Sequence, residues 1–332
     1  MQTRHALVAL AFVASAALST ALSTAVRAQQ PPATAPATAL PSPQPRDPAW
    51  AFPIQAGSLA AEPPGPKSIP GSSRSYTPEQ IDDLLSPPDW FPDAHKPAPG
   101  IVQKGHAGAL ACGSCHLMSG FGHPESSDLT GFTADYLVQQ LQDFRNGTRK
   151  DYARMNGISK ELSDVEVREA AAWFASLPRG RWSRVVEAAM VPKTFVGQGR
   201  MRFADPKGGM EPIGRRIITL PEDQTRARLR DPRSGFVVYV PPGSLARGRA
   251  LAEGGRGKTI ACAICHGDGA KGLANVPRLA GLHPIYIARQ LHLFKDGGRA
   301  GADSALMKKP VAGLTDDDIL NLSAYLGSLS PE

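Results

Sequence analysis

Cysteine is the scarce residue of this chain. Its 332 residues hold four, all within two copies of Cys-x-x-Cys-His: Cys112, Cys115 and His116, then Cys262, Cys265 and His266. A zinc site built from the four thiols would have to join pairs 150 residues apart and would leave both histidines unexplained. A thioredoxin-like redox pair needs a strand–helix setting that neither motif has, and disulfides between the pairs are the remaining thiol-only reading. Charge is modest too. The net value is +7, too evenly spread to indicate nucleic acid as a partner. Long apolar runs are confined to the N-terminus, where "ALVALAFVASAALSTALSTAV" is followed by "VRAQQ". This pattern predicts a secretory signal peptide over 1–28 and export to the periplasm. Its loss would leave 35 Lys and Arg against 30 Asp and Glu, a mature charge of +5.

Proline and glycine, by contrast, are abundant, at 31 and 33 residues. Much of the proline lies in residues 29–98, which read as an extended Pro-rich arm that buries too little apolar surface to fold on itself. Within it, Thr77 and Pro78 predict the start of one short helix, and Trp90 and Phe91 are expected to anchor the arm on the domain that follows.

The rest of the chain is a duplication. Cys262 minus Cys112 is 150, and the same offset relates Gly281 to Gly131, Tyr286 to Tyr136, Leu291 to Leu141 and Gly297 to Gly147. After a two-residue insertion, an offset of 152 aligns Met307 with Met155 and Tyr325 with Trp173. Each copy reads as a motif turn, a middle helix ending at Gly147 or Gly297, a Met-bearing loop and a terminal helix. Ser163 and Glu166 form the capping box of the first terminal helix. Such a unit of about 80 residues has too thin an apolar core to stand alone. On a helical turn, cysteines at i and i+3 share one face with the histidine beside them. Two thiols can then bond the vinyl groups of one haem while the imidazole ligates its iron, and the buried porphyrin completes the core.

The two units resemble class I c-type cytochrome domains, and their pairing is similar to the dihaem cytochrome c-four group. The resemblance implies a mainly α fold of two tandem cytochrome c domains, 99–180 and 243–332, with two covalently bound haem c groups. It implies attachment at Cys112, Cys115, Cys262 and Cys265, iron ligation by His116 and His266, and Met155 and Met307 as the opposite ligands. Pro277 stands where the family orients the proximal imidazole through a carbonyl; Ser127 replaces it in the first unit, so the first haem is expected to be held differently. His123, His283 and His292 are the weaker distal candidates. Met118 is read as core filler, and Lys308 as a solvated residue. Arg149 and Arg299, also 150 apart, are candidate partners for haem propionates.

Residues 181–242 read as a small β-containing insertion, with "RRIITL" and "GFVVYV" as strands and Met190, Met201 and Met210 as packing residues. The function that follows is electron transfer through two His/Met-ligated haems. Upstream stands a dehydrogenase or quinol-oxidising complex, and downstream an oxidase or another cytochrome. Membrane contact is expected only through a partner or an uncleaved signal. The alternatives are a dihaem peroxidase or thiosulfate-type dehydrogenase with one labile distal ligand, and a cytochrome subunit of a periplasmic dehydrogenase complex.

Overall fold

The computed structural model describes residues 46–332 except Tyr152. The expected signal peptide and residues 29–45 of the arm lie outside the described residues.

The arm is packed, not extended free of the molecule. Trp50, Ala51 and Phe52 bury in the main core. Trp90 forms a second cluster with Ile69, Ile81 and Leu229, and its indole N–H donates to the Leu229 carbonyl at 2.8 Å. Trp90 therefore anchors the arm on the insertion, not on the following domain. A few aromatics spaced along a proline-rich chain supply the buried area that the average composition conceals. The helix α1 (Pro78–Asp82) starts as the sequence predicts, with Thr77 and Gln80 closing a capping box.

The first unit contains α2 (Gly100–Gln103), α3 (Gly113–His116), α4 (Ala134–Asn146), α5 (Met155–Glu161) and α6 (Asp164–Ala175). Thr133 caps α4, and Gly147 ends it in the left-handed region, where a side chain would be strained. The insertion follows with β1 (Ser183–Glu187), β2 (Met190–Pro192), β3 (Thr194–Val196), β4 (Arg202–Ala204), β5 (Met210–Pro212), β6 (Ile218–Pro221), α7 (Gln224–Arg228) and β7 (Phe236–Val240). β7 is the centre of a three-stranded sheet, parallel to β1 with Ser183 opposite Phe236, and antiparallel to β6 with Ile218 opposite Tyr239. β2–β5 and β3–β4 are antiparallel pairs. Met190 and Met210 lie exposed on the β2–β5 pair, so only Met201 serves the packing role expected of all three.

The second unit repeats the first with α8 (Ser244–Gly254), α9 (Ala263–His266), α10 (Pro284–Lys295), α11 (Ala305–Ala312) and α12 (Asp316–Ser328). α8 and α12 cross at Gly248, where an added Cβ would lie 2.0 Å from the Asn321 carbonyl oxygen. The methionines do not sit in loops, as expected. Met155 opens α5 and Met307 lies inside α11. No helix among the described residues is long and apolar enough to cross a membrane.

Candidate functional site

Each Cys-x-x-Cys-His stretch folds as one helical turn whose histidine amide bonds back to the first cysteine's carbonyl, at 3.0 Å for His116 and 2.9 Å for His266. Both imidazoles are buried, and both use Nδ1 in the same way. His116 Nδ1 meets the Ser127 carbonyl at 2.8 Å, and His266 Nδ1 meets the Pro277 carbonyl at 2.7 Å, each 11 residues downstream. A carbonyl only accepts, so each Nδ1 carries the proton and each Nε2 presents a lone pair, with no hydrogen-bonding partner among the described residues. The expected difference between the units is thereby corrected. The orienting group is a main-chain carbonyl, which serine supplies as well as proline does.

Burial lowers the pKa of both histidines, opposed in part by those same carbonyls. Neutral imidazole is the form a metal ligand requires. The thiols are free of disulfides. Burial first, then the neighbouring Cys115, pushes Cys112 up to about 12. Burial likewise raises Cys262 to about 11. No three His, Cys, Asp or Glu side chains converge to hold one ion among the described residues.

The loops that carry the two orienting carbonyls are joined. Asp128 follows Ser127, Arg278 follows Pro277, and the two form a fully buried ion pair at 2.5 Å. Arg278 also donates to the Thr130 and Ala280 carbonyls. A second junction links the units near the middle helices. Lys150 N–H donates to the Gly298 carbonyl and Ala300 N–H to the Thr148 carbonyl, both at 2.7 Å. Flanking this pair, Arg149 donates to Gln140, Tyr286 and Gln290, and Arg299 donates to Gln290, Tyr136 and Gln140. The arrangement has an internal two-fold symmetry that follows from the duplication.

Two buried guanidiniums thus lie together with no carboxylate of the described residues at ion-pair distance, and Arg299 Nε has no partner. Burial works against ionising the Tyr286 phenol, yet the charges of Arg149 and Arg299 hold it below the ordinary phenol value. Buried cations without counterions are costly. The Asp143 carboxylate acts on Arg299 from beyond ion-pair distance, and carboxylates of a bound group would supply a direct counter-charge.

A family profile described as Cytochrome c matches residues 245–330. Cytochrome c-554(547) of Halothiobacillus neapolitanus is 42% identical over 84 residues, covering 22% of this chain and 92% of that protein. The chain belongs to the c-type cytochromes. Cytochrome c4 of Pseudomonas aeruginosa is 28% identical over 236 residues, covering 70% of this chain and 90% of the relative. The protein is a dihaem class I c-type cytochrome of the cytochrome c4 group, an electron-transfer protein with covalently bound haem c. Thiosulfate dehydrogenase electron acceptor of Thiomonas intermedia is 28% identical, covering 67% of this chain and 81% of that protein.

The residues present fit the cofactor: two turns with paired thiols, two imidazoles with free Nε2 atoms, and two buried cations with no ion-pair partner among the described residues. The sulfur candidates differ in how they are held. Met155 is half-buried, and its amide donates to Asp151 Oδ2 at 2.8 Å, as does that of Arg154 at 2.6 Å. Asn156 ties the same turn to the Phe144 and Arg149 carbonyls. Met307 packs on the main core, but α11 has no side-chain cap.

Two of the other histidine candidates are engaged at both ring nitrogens. His123 is engaged by Ser126 and the Glu125 amide, and His283 by Ser183 and Phe121. His292 packs edge-on against Phe52 and leaves Nε2 unpaired. Met118 is buried in the core and Lys308 is exposed, as expected. Sequence reasoning missed Asp128 and Arg278. Their 150-residue offset was the available signal, hidden because the two residues differ in type.

Proposed function

We propose that this cytochrome carries electrons in the periplasm, between a donor dehydrogenase and a downstream oxidase or cytochrome. The haem units, 99–180 and 243–332, hold one haem each, at Cys112 and Cys115 and at Cys262 and Cys265. His116 and His266 are the proximal ligands, and Met155 and Met307 the distal ones. When bound, the haem supplies a one-electron centre whose iron cycles between two oxidation states. The chain supplies the rest. Each Nδ1–H···O=C bond fixes the imidazole tautomer and raises the basicity of Nε2. Met155 and Met307, if they hold the bound group through sulfur, would favour its reduced state and would disfavour substrate binding at the iron. Arg149 and Arg299 neutralise the carboxylates of the bound group and exclude water from the junction.

The observation that carries this reading is the identical Nδ1–carbonyl geometry of the two proximal histidines. The network around Asp151 and Asn156 supports Met155 as a firmly held ligand, against an enzyme in which the first haem is the labile one. The relatives named for accepting electrons from thiosulfate dehydrogenase support a donor of that kind. The test is a haem-resolved titration of the reduced protein with carbon monoxide, after mass spectrometry has shown two haems bound through denaturation. Weak, slow binding at both haems is the expected result. Rapid, complete binding at one haem overturns the carrier assignment and makes that haem a reaction site.

A further inference from the structure

The two motif turns are near-copies in backbone, but their surroundings are opposite. In the second unit Ile264, at the apex of the turn, is 68% exposed, and Cys265 beside it is exposed. Ile260, Leu273 and Leu306 are exposed as well, so four of the nine exposed large apolar side chains among the described residues lie in this unit. They flank the motif or adjoin Met307. In the stretches 256–273 and 302–309, exposed Arg256, Lys271, Lys308 and Lys309 stand against exposed Asp268 and Asp303, while Lys258 is paired with Asp318 at 2.7 Å. Exposed apolar side chains around a motif turn, with an excess of cations beside them, fit a docking surface for an acidic protein.

The first unit lacks the exposed apolar residues at the matching positions. The counterparts of Ile264, Leu273 and Leu306 are Ser114, His123 and Arg154, and Ser114 is only 4% exposed. Chain from outside the unit covers it. The arm lays Leu84 and Leu85 along the turn, their carbonyls accepting from Ala111 N–H at 3.1 Å and Gly105 N–H at 2.7 Å. From the insertion, the Arg230 guanidinium donates to the Ser114 carbonyl. Arg230 holds φ at +56° to do so, a conformation that costs a non-glycine residue energy. Trp90 locks arm to insertion through Leu229. A Cβ on Gly113 would meet Met118 Sδ at 2.6 Å and the Val102 carbonyl at 2.9 Å, so the turn has no room to swing outward. A cleft of about 240 Å³ remains beside Cys115. It is smaller than a typical ligand pocket of roughly 300–1,000 Å³, and so admits a small reagent but not a protein surface.

We propose that the arm and the Ala227–Asp231 turn are a fixed cap over the first motif, and that an acidic redox protein docks on the face around Ile264. Electrons then enter and leave through the second centre alone. One electron leaves the partner's reduced cofactor and enters at the second turn; the first centre is filled from the second across the buried junction, with no bond made or broken. The cap turns a symmetric duplication into a polar molecule with one port and one reserve. The proposal rests on the reading that both turns hold haem.

The test uses the full-length, two-haem protein and reduced flavodoxin, an acidic flavoprotein, as the probe. Ile264→Glu is expected to slow reduction of both haems by flavodoxin at least about tenfold, since it places a charge like the partner's at the centre of contact. Dithionite, small enough for the cleft, is expected to reduce wild type and variant alike. Hydrogen exchange gives the second readout: oxidised flavodoxin is expected to protect amides within 256–273 and to leave 84–90 and 111–118 unchanged. Adding Arg230→Ala to Ile264→Glu is expected to raise exchange at 111–116, since it removes the guanidinium that the Ser114 carbonyl accepts from. Reduction of Ile264→Glu by flavodoxin at the wild-type rate, or protection by flavodoxin at 111–118, overturns the single port. A preparation that holds fewer than two haems fails the underlying assignment instead, and the two failures are told apart by haem content alone.

Discussion

His283 begins α10 with both ring nitrogens occupied. Nε2 lies 3.3 Å from the Phe121 carbonyl, and so carries the proton, while Nδ1 accepts from the Ser183 hydroxyl at 3.0 Å. The residue therefore ties α10 to both the first unit and the insertion. Burial lowers its pKa to about 3; the Phe121 carbonyl opposes this, and Arg289 and Arg278 add to it. In the unfolded chain the ring titrates near 6.5, so between those values the unfolded state binds the extra proton. Stability is fully present above about pH 6.5 and falls as pH drops toward 3, by about 1.4 kcal/mol per pH unit. Urea unfolding at pH 7 and pH 5 should show this loss, and His283→Gln should lose less over the same interval. Equal losses in the two proteins would remove His283 as the acid-sensitive group.

At the scale of elements, what could be read in advance followed from local signals. Caps at Thr77 and Ser163 and the stop at Gly147 all lie within a few residues of what they specify. The 150-residue offset carried those signals from one unit to the other and brought the motif histidines and the buried faces with it. What stayed hidden was long-range. The Arg230–Ser114 and Trp90–Leu229 contacts span 116 and 139 residues, and proline-rich composition masked an arm held down by a few aromatics. The carbonyl that orients His116 was hidden for a different reason, since a main-chain group has no sequence signature. The α8–α12 crossing gives a check at this scale. Gly248→Val should cost about 1–3 kcal/mol through overpacking, because the Asn321 carbonyl oxygen and the Tyr325 Cβ lie 2.0 and 2.7 Å from an added Cβ and belong to the helix it packs on. Thermal unfolding measures this directly, and a variant as stable as wild type would mean that the helices can separate freely at that point.

For the whole molecule, the junction of the two units is where structure and redox chemistry meet. Arg149 and Arg299 share Gln140 and Gln290 and are paired across the internal two-fold, so each unit contributes a cation to a site that belongs to both. If bound haem carboxylates are the missing counterions, the two positive charges favour the reduced state of the nearby iron, because reduction adds negative charge within their field. Arg149→Met should then shift at least one reduction potential downward, while Arg149→Lys, which keeps the charge but loses the planar fork, should recover most of the shift. Spectropotentiometry of the two-haem protein measures both. A merely structural arginine would behave otherwise: Lys and Met would lower thermal stability similarly, and neither would move a potential in a fixed direction. An upward shift in the Met variant would place the guanidinium's influence elsewhere than on the haem centres, and would leave the two buried cations of this junction without the anion that their geometry calls for.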